Sequence, residues 1–218
     1  MNYLKLIFIT LLVTFSSCSS KYSNENFPIE TNKKNKESYR RIIIDAGHGG
    51  RDPGAISWDR RHQEKNLNLA TAMMVRDHLK QMGYKPALTR SKNIFIPLNE
   101  RAEMANKRKA ELFVSIHYNS AHNNKARGIE VYYYPHSNNS KQLAITTLEN
   151  VLQQTKALSR GIKTANFTVL TQTKMPAILV EGGFMSSSKE MNLLQDPEYL
   201  NRLAYGIAIG IDQHLKSH

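Results

Sequence analysis

The sequence predicts a single α/β domain with a mostly parallel central sheet, mixed at its edge, and helices on both faces. Two unbroken apolar runs, at 42–44 and 177–180, lack the alternation of a half-buried strand. Such runs are typical of strands that are buried on both faces of a parallel sheet. Between these runs, stretches with helical spacing alternate with short strand-like stretches. This order along a chain is typical of a parallel sheet covered on both sides by helices.

The first half of the domain supplies three predicted strands and two helices. The strand at 42–44 leads through a glycine-rich turn into a helix that ends before Gly83, a residue type that commonly stops helices. The apolar positions of this helix are Leu67, Ala70, Met74, Val75 and Leu79. A strand at 84–89 follows, and Pro97 can open the next helix. A strong apolar strand at 112–116 completes this half.

The second half is predicted to begin with a strand at 128–134, whose alternating pattern indicates a place nearer the sheet edge. A helix at 141–158 and a short strand at 167–170 are expected next. The apolar run at 177–180 is then another inner strand. The chain closes on a predicted helix at 197–215, whose apolar face consists of Leu200, Leu203, Ala204, Ile207 and Ile211.

Length and composition favour one globular domain with a short appendage. The chain has 218 residues, is 40% hydrophobic and carries a formal net charge of +12. A surface this basic favours anionic partners such as nucleic acid, acidic lipid or an acidic polymer. Because Cys18 is the one cysteine, an internal disulfide and a thiolate zinc site are both excluded. Any metal must therefore be bound by histidine and carboxylate.

The N-terminal residues follow the layout of an exported lipoprotein. Lys5 precedes an apolar stretch of about ten residues, whereas a transmembrane helix needs about twenty. Small residues stand directly before Cys18, and the sequence Phe-Ser-Ser-Cys is similar to a lipoprotein cleavage box, although Phe15 occupies a position where leucine is usual. We therefore predict a signal peptide at 1–17 and lipidation of Cys18. An ordinary signal peptide with a chance cysteine is the alternative.

Composition changes once more before the predicted domain. Residues 18–38 are polar and have few apolar positions to bury, which predicts a flexible tether. No further change in composition follows, so the folded domain is predicted to occupy residues 39–218.

Three of the apolar runs lead into side chains that can bind metal or exchange protons. His48, His117 and Glu181 each follow such a run. The carboxyl ends of parallel strands meet at one edge, where open α/β sheets bind their ligands. Glu64 lies just before the first periodic helix and can point toward the same edge. Two imidazoles and one carboxylate with an open fourth position form a catalytic zinc set, and a second carboxylate supplies a base.

Each of these four residues also has an ordinary structural explanation. His48 alone could lie in a surface turn, and His117 could be a packed core histidine. Glu64 could be a solvated acid in the first turn of a helix, and Glu181 could cap a helix. Their joint placement, rather than any one of them, favours a site.

Several sequence blocks appear in a fixed order over residues 41–215. The blocks are Ile-Asp-Ala-Gly-His-Gly-Gly at 44–50 with Asp52, Gly54 and Ala55 after it, Glu64-Lys65-Asn66, Thr89-Arg90, Arg101 with Ala105-Asn106, LFVSIHYN at 112–119, Gly-Ile-Glu-Val-Tyr at 128–132, and PAILVEGGF at 176–184. Together they resemble the zinc-dependent N-acetylmuramoyl-L-alanine amidases of the amidase 3 family. Ala46 replaces the usual proline, and Asn93 stands where aspartate often follows Thr-Arg; neither position is expected to hold the metal.

The resemblance implies a hydrolase that cuts peptidoglycan between the lactyl group of N-acetylmuramic acid and the L-alanine of the stem peptide. One Zn²⁺ would be bound by His48, Glu64 and His117. Glu181 would be the catalytic residue that accepts a proton from water and passes it to the leaving nitrogen. A non-catalytic cell-wall binding module of the same fold is the alternative, although all four family positions are occupied in this chain.

Two further residues are candidate substrate contacts. Asn119 is a candidate donor to the oxyanion of the reaction. Arg61 lies in a basic segment with Arg60 and Lys65 that is expected to meet anionic glycan or stem-peptide carboxylates. His62, in the same segment, is the rival metal ligand.

The predicted partners are peptidoglycan or muropeptides, and a membrane through lipidated Cys18. We expect an exported monomer in the periplasm, anchored to a bacterial membrane and most simply the outer membrane. Nucleic acid is disfavoured because the chain has an export signal and no aromatic residues interleaved with its basic ones. In some members of the family an inserted helix covers the zinc pocket. Here residues 134–140 form too short a connection for such a helix, so no activating partner is expected.

Overall fold

The computed structural model describes residues 41–217. The predicted signal peptide, Cys18 and the tether at 18–38 lie outside the described residues, and the domain bounds at 39 and 218 stay predictions. The six strands are β1 (Arg41–Ala46), β2 (Lys85–Leu88), β3 (Leu112–Asn119), β4 (Ile129–Tyr133), β5 (Ser159–Thr164) and β6 (Ala177–Phe184). The helices are α1 (Glu64–Gln81), α2 (Leu98–Lys107), α3 (Asn138–Thr155), α4 (Thr168–Thr171), α5 (Ser188–Leu194) and α6 (Pro197–Lys216).

The strands form one mixed sheet in the order β2-β1-β3-β6-β4-β5. Strands β2, β1, β3 and β6 run parallel to one another. Strand β4 runs antiparallel to β6 and parallel to β5. The predicted fold class, a mostly parallel sheet with a mixed edge, is therefore confirmed.

Helices cover both faces of this sheet, as the unbroken apolar runs predict. Ile42 and Ile44 point into a core shared with α1, α3 and α6. Ile43 points to the opposite face, where it packs with Phe113 and Leu179 beside α2 and α4. Consecutive residues of a strand face opposite sides of the sheet, so the side chains of these three isoleucines pack into both hydrophobic cores.

The structure differs from the prediction at two short helices. Residues 167–170 do not form a strand: Val169 and Leu170, each 3% exposed, lie in the short helix α4, and the strand before it is β5. An adjacent apolar pair fits one helical turn as well as it fits a strand, so this pattern does not distinguish them. Strand β4 lies beside the edge strand β5, in agreement with its predicted place nearer the edge. Helix α5 was not predicted.

Two connections matter for the site. Strand β4 reaches α3 through residues 134–137 alone, and the Ser137 hydroxyl caps the helix by accepting from the backbone N–H of Ser140 at 3.2 Å. Strand β3 reaches β4 through the longer loop 120–128. Within residues 41–217 no helix is long and apolar enough to cross a membrane.

Candidate metal centre

The turn after β1 places His48 at the carboxyl edge of the sheet. The backbone N–H of Gly47 donates to the carbonyl of Ile116 at 3.1 Å, which fastens this turn to β3. His48 itself has a left-handed backbone with φ of 59°, which is uncommon for a residue with a side chain. A Cβ at Gly47 would lie 2.2 Å from the ring of His117. Glycine is therefore required there for the two histidines to approach one another.

His48, Glu64 and His117 converge on one point. One ligand atom from each lies within 4.8 Å of the others, so the group could hold a metal ion. Glu64 links the two rings, with Oε2 at 3.1 Å from Nε2 of His48 and Oε1 at 2.9 Å from Nδ1 of His117. Imidazole nitrogen and carboxylate oxygen are ligands that zinc favours, and three protein ligands are typical of catalytic zinc sites. The donor set therefore fits zinc.

Glu64 is the first residue of α1, so it points back toward the strand ends. Its buried carboxylate accepts hydrogen bonds from the backbone N–H groups of Ala55, at 2.8 Å, and Tyr118, at 3.1 Å, and from the side chain of Asn68 at 3.1 Å. Burial alone would raise the pKa of Glu64, but the hydrogen bonds with both histidines outweigh it and hold this pKa well below its usual value. The group is therefore an anionic ligand at neutral pH.

Asp52 orients the first histidine. Its Oδ2 lies 2.8 Å from Nδ1 of His48, which leaves Nε2 facing Glu64. Burial would lower the pKa of His48, yet the neighbouring carboxylates of Glu64 and Asp52 raise it overall. A carboxylate on the outer nitrogen of a metal-binding histidine fixes the ring and its tautomer. Asp52 was not predicted as a functional residue, although its i,i+4 spacing from His48 within the glycine-rich block is a usable signal.

Glu181 lies beside this group but is held differently. It stands within β6, directly across from His117 on β3, and its Oε2 is buried with no hydrogen-bond partner among the described residues. Burial, followed by the negative charges of Glu64 and Glu130, raises the pKa of Glu181 well above its usual value. A carboxyl with a raised pKa and a free oxygen is suited to exchange protons.

A cavity of about 410 Å³ opens in front of these side chains. His48, His117 and Glu181 form its polar wall. The remaining lining is largely apolar: Leu98, Phe167, Val169 and Leu179, with Asn166 and Thr168 beside them. Leu98 and Phe167 are 54% and 41% exposed, so they flank the opening. The place of Leu98 and Phe167 at the opening was not predicted, because they come from α2 and from the loop before α4, whose packing the sequence does not reveal.

The two candidate substrate contacts have other partners in the structure. The Asn119 amide donates to Oε1 of Glu130 at 2.8 Å, and its carbonyl oxygen accepts from the backbone N–H of Ser120. Arg61 is exposed on the turn before α1, 3.9 Å from the Asp59 carboxylate. His62 does not belong to the metal-binding group found among residues 41–217.

Comparison with known proteins identifies the family. The model of the family described as N-acetylmuramoyl-L-alanine amidase matches residues 42–213. The chain is 38% identical over 176 residues to the sporulation-specific N-acetylmuramoyl-L-alanine amidase of Bacillus subtilis, covering 79% of this chain and 67% of that protein. It is also 38% identical over 175 residues to the uncharacterised protein YqiI of the same organism, covering 79% and 84%.

Solved structures agree with this assignment. The catalytic domain of CwlV, an N-acetylmuramoyl-L-alanine amidase from Bacillus (Paenibacillus) polymyxa, superposes with a TM-score of 0.78 at 40% identity, covering 82% of this chain and 99% of that one. An N-acetylmuramoyl-L-alanine amidase from Clostridium difficile 630 gives 0.80 at 36% identity, covering 82% and 97%. The chain therefore belongs to the N-acetylmuramoyl-L-alanine amidase family.

Proposed function

We propose that His48, Glu64 and His117 bind one zinc ion and that Glu181 transfers the protons in peptidoglycan amide hydrolysis. The family membership gives the reaction, which is cleavage between the lactyl group of N-acetylmuramic acid and the L-alanine of the stem peptide. One observation supports this assignment of residues. Three side chains of the types that bind zinc meet at one point, beside a buried oxygen of Glu181 that has no hydrogen-bond partner among the described residues.

The chemistry of each residue follows from its surroundings. When bound, zinc supplies positive charge that acidifies water and polarises a carbonyl group. Asp52 keeps His48 in the tautomer whose Nε2 faces the metal position. Glu181 accepts a proton from the attacking water and donates it to the alanine nitrogen as the amide breaks. The raised pKa of Glu181 suits the second step, because the acid form is held ready to donate.

The apolar wall of the cavity supports the same substrate. The scissile amide is flanked by the methyl groups of the lactyl unit and of alanine. Leu98 and Phe167 offer exposed apolar surface in the same cavity as the polar wall. Burial of a methyl group is favourable by about 0.8 kcal/mol. Asn119 stays a proposed contact to the oxyanion, and it would first have to release Glu130.

The test is a digestion of purified peptidoglycan followed by mass analysis. We expect freed lactyl carboxyl groups and new L-alanine amino termini, about one zinc per molecule, loss of activity after chelation and recovery on adding zinc. Full activity after thorough chelation would overturn the zinc assignment. Release of sugars, or of peptides cut at another bond, would overturn the reaction.

We further propose that this enzyme needs no activating protein. Residues 134–137 connect β4 to α3 directly, and four residues cannot form a stable covering helix. The zinc-loaded domain should hydrolyse defined muropeptides by itself. Folded, zinc-loaded protein that stays inactive until a second protein is added would contradict this proposal.

The proposed location is the periplasm, with a signal peptide at 1–17 and a lipid anchor on Cys18, most simply in the outer membrane. The support is the sequence alone, since these residues lie outside the described part of the chain. Stable anchoring needs more than one acyl chain. Cys18→Ser should move the protein to the soluble periplasmic fraction or block its processing, and unchanged fractionation with membranes would contradict the anchor. We propose a monomer, which light scattering of the released protein can check.

A further inference from the structure

A second concave feature is built from two loops that no step of the reaction uses. A hollow of about 340 Å³ lies between loop 120–128 and the start of α5. Its lining residues are Asn124, Lys125, Arg127, Ser187, Ser188 and Lys189. Three of these six side chains are cationic and none is acidic. We call this feature the basic hollow.

The two walls of the basic hollow are fixed to each other by a buried carboxylate. Glu190, 9% exposed, accepts from the backbone N–H of Gly128 at 2.7 Å and from that of Phe184 at 2.6 Å. A third tie joins the backbone N–H of Ala121 to the Ser186 hydroxyl at 3.0 Å. Loop 120–128 is therefore held in a fixed position against the end of β6, and the hollow is formed before any ligand binds.

Loop 120–128 is also ordered within itself. The side-chain oxygen Oδ1 of Asn123 accepts from the backbone N–H groups of Lys125 and Ala126, each at 3.0 Å. Gly128 has φ of 107°, and a Cβ there would lie 2.6 Å from the carbonyl oxygen of Leu158. The backbone that bears Lys125 and Arg127 therefore has a defined conformation. A preorganised site binds with less loss of conformational entropy.

The charge of the basic hollow is not neutralised locally. Lys125, Arg127 and Lys189 are exposed and form no ion pair with any residue of the described part of the chain. Glu190 interacts electrostatically with Arg127, but both of its oxygens are occupied by backbone N–H groups. Three cations around one hollow therefore attract an anion.

The position of the basic hollow relates it to the metal centre. Glu181 and Phe184 both belong to β6, and three residues of strand span about 10 Å. The turn closed by the Ser187 N–H on the Phe184 carbonyl, at 3.1 Å, leads directly into the hollow. An extended peptide advances about 3.5 Å per residue. Three residues of extended peptide, about 10 Å, therefore match the distance along β6 from Glu181 to Phe184, where the turn into the hollow begins.

We propose that the basic hollow binds a side-chain or α-carboxylate at the second or third residue of the stem peptide, which fixes the direction of the peptide across the metal centre. This inference rests on the proposed function, because the distance is counted from the scissile amide. Lys125 and Lys189 supply point charges, and Arg127 can pair with both carboxylate oxygens. The enzyme should therefore distinguish acidic stem peptides from amidated ones.

The experiment compares substrates that differ by one charge. Three muropeptides are needed: one with free carboxylates at both positions, one amidated at the second residue and one amidated at the third. For the full exported chain we expect KM to be roughly tenfold higher for one amidated substrate than for the acidic one, the size of a charge-assisted contact, with kcat nearly unchanged.

The variant that tests the site is the triple change Lys125→Gln, Arg127→Gln and Lys189→Gln. It should raise KM for the acidic substrate roughly tenfold and remove the discrimination. A matched control removes the same charges at the other end of the sheet, with Lys80→Gln, Arg108→Gln and Lys141→Gln. The control should keep the discrimination, which separates the hollow from the effect of overall net charge.

Each outcome decides the question. Equal KM values for acidic and amidated substrates, or equal effects of the two triple variants, would overturn the basic hollow while leaving the amidase reaction intact. Absence of zinc-dependent cleavage for every substrate would instead overturn the proposed function. In that case the hollow can still be tested by calorimetry, with the free acidic stem peptide and its amidated forms as ligands. If the amidated peptides bind as tightly as the acidic one, the basic hollow does not recognise the carboxylate.

Discussion

Glu130 and Glu181 are paired directly across adjacent antiparallel strands, yet their surroundings are opposite. Glu130, 2% exposed, accepts from Asn119 at 2.8 Å and from the Tyr132 hydroxyl at 2.7 Å. Arg160 and Lys163 lie 2.7 Å and 2.5 Å from its other oxygen. Glu181 has an oxygen with no partner among residues 41–217. Two identical side chains, one on each strand, thus have opposite electrostatic environments.

The difference teaches what separates a structural carboxylate from a reactive one. Burial raises the pKa of both groups, but for Glu130 the hydrogen bonds from Lys163, Arg160 and Tyr132 outweigh burial and lower it. For Glu181 nothing offsets burial, and the negative charge of Glu130 adds to the rise. Glu130 therefore stays charged and fixed, while the surroundings of Glu181 suit the proton exchange that we propose for it.

Replacing the reactive carboxyl should give the largest effect. We expect Glu181→Gln to lower kcat by a factor of about 10² to 10⁴, the usual cost of losing a general acid or base. Zinc content and the thermal unfolding midpoint should stay close to those of the parent chain, because the amide keeps the shape of the side chain. A near-normal rate would show that another group, with Glu130 the first candidate, exchanges the protons.

Weakening a partner of the metal group should have the next largest effect. Asp52→Asn keeps the size of the side chain but removes the charge that faces Nδ1 of His48. Loss of such a partner typically costs 10- to 100-fold in metal affinity or activity, so zinc competition titrations should show a drop in affinity within about that range. Asp59→Asn is the matched control, since Asp59 lies in the same loop without touching the metal group. Equal zinc affinities in both variants would mean that Asp52 does not orient His48.

Replacing the paired carboxylate should reverse the pattern seen for Glu181. Glu130→Gln removes the charge that faces Arg160 and Lys163, and we expect a loss of about 1 to 3 kcal/mol in the free energy of unfolding. Turnover should fall by less than tenfold. Denaturant unfolding together with steady-state kinetics measures both. A large loss of kcat with little loss of stability would mean that Glu130 takes part in the reaction, and the contrast with Glu181 would then be wrong.

The stability difference between the parent chain and Glu130→Gln should depend on pH. The pKa of Glu130 is lower in the folded chain than its ordinary value of 4.5, so the native state binds fewer protons than the unfolded state in the interval between the two values. The stabilisation is thus complete above about pH 4.5 and is lost as the pH falls through the folded pKa. Unfolding curves from pH 7 down to pH 3 should show the two proteins converging. A constant difference would refute the charged pairing.

The features that could be predicted are those carried by local pattern. The run at Ile42–Ile44 and the run before Glu181 indicate inner strands without any tertiary information, and Pro197 marks the start of α6. Of the four proposed functional positions, His48, His117 and Glu181 were predicted from where such runs end, and Glu64 from its place before the first helix together with the family resemblance. His117 and Glu181 nevertheless lie inside β3 and β6, because strand pairing continues past the apolar residues.

The features that escaped prediction depend on contacts distant in sequence. The local sequence does not indicate that Glu130 accepts hydrogen bonds from side chains of β5, since Arg160 and Lys163 are about thirty residues away. The helical state of Val169 and Leu170 follows from packing beneath the sheet and not from their spacing. Glu190 likewise accepts hydrogen bonds from the backbone of two separate segments, at Gly128 and at Phe184. Side-chain environment, and hence pKa, is a tertiary property.

The reversed direction of β4 has a consequence for how this protein could be altered. In a parallel crossover the chain must travel back across a face of the sheet, and any change in its length disturbs the packed helices. Because β4 is antiparallel to β6, loop 120–128 turns back on the same edge that it leaves. Provided that the anchored positions Ala121 and Gly128 are kept, the length and composition of the loop can therefore vary without moving a helix. Exchange of this single loop between relatives should transfer recognition properties as a module while the sheet stays intact.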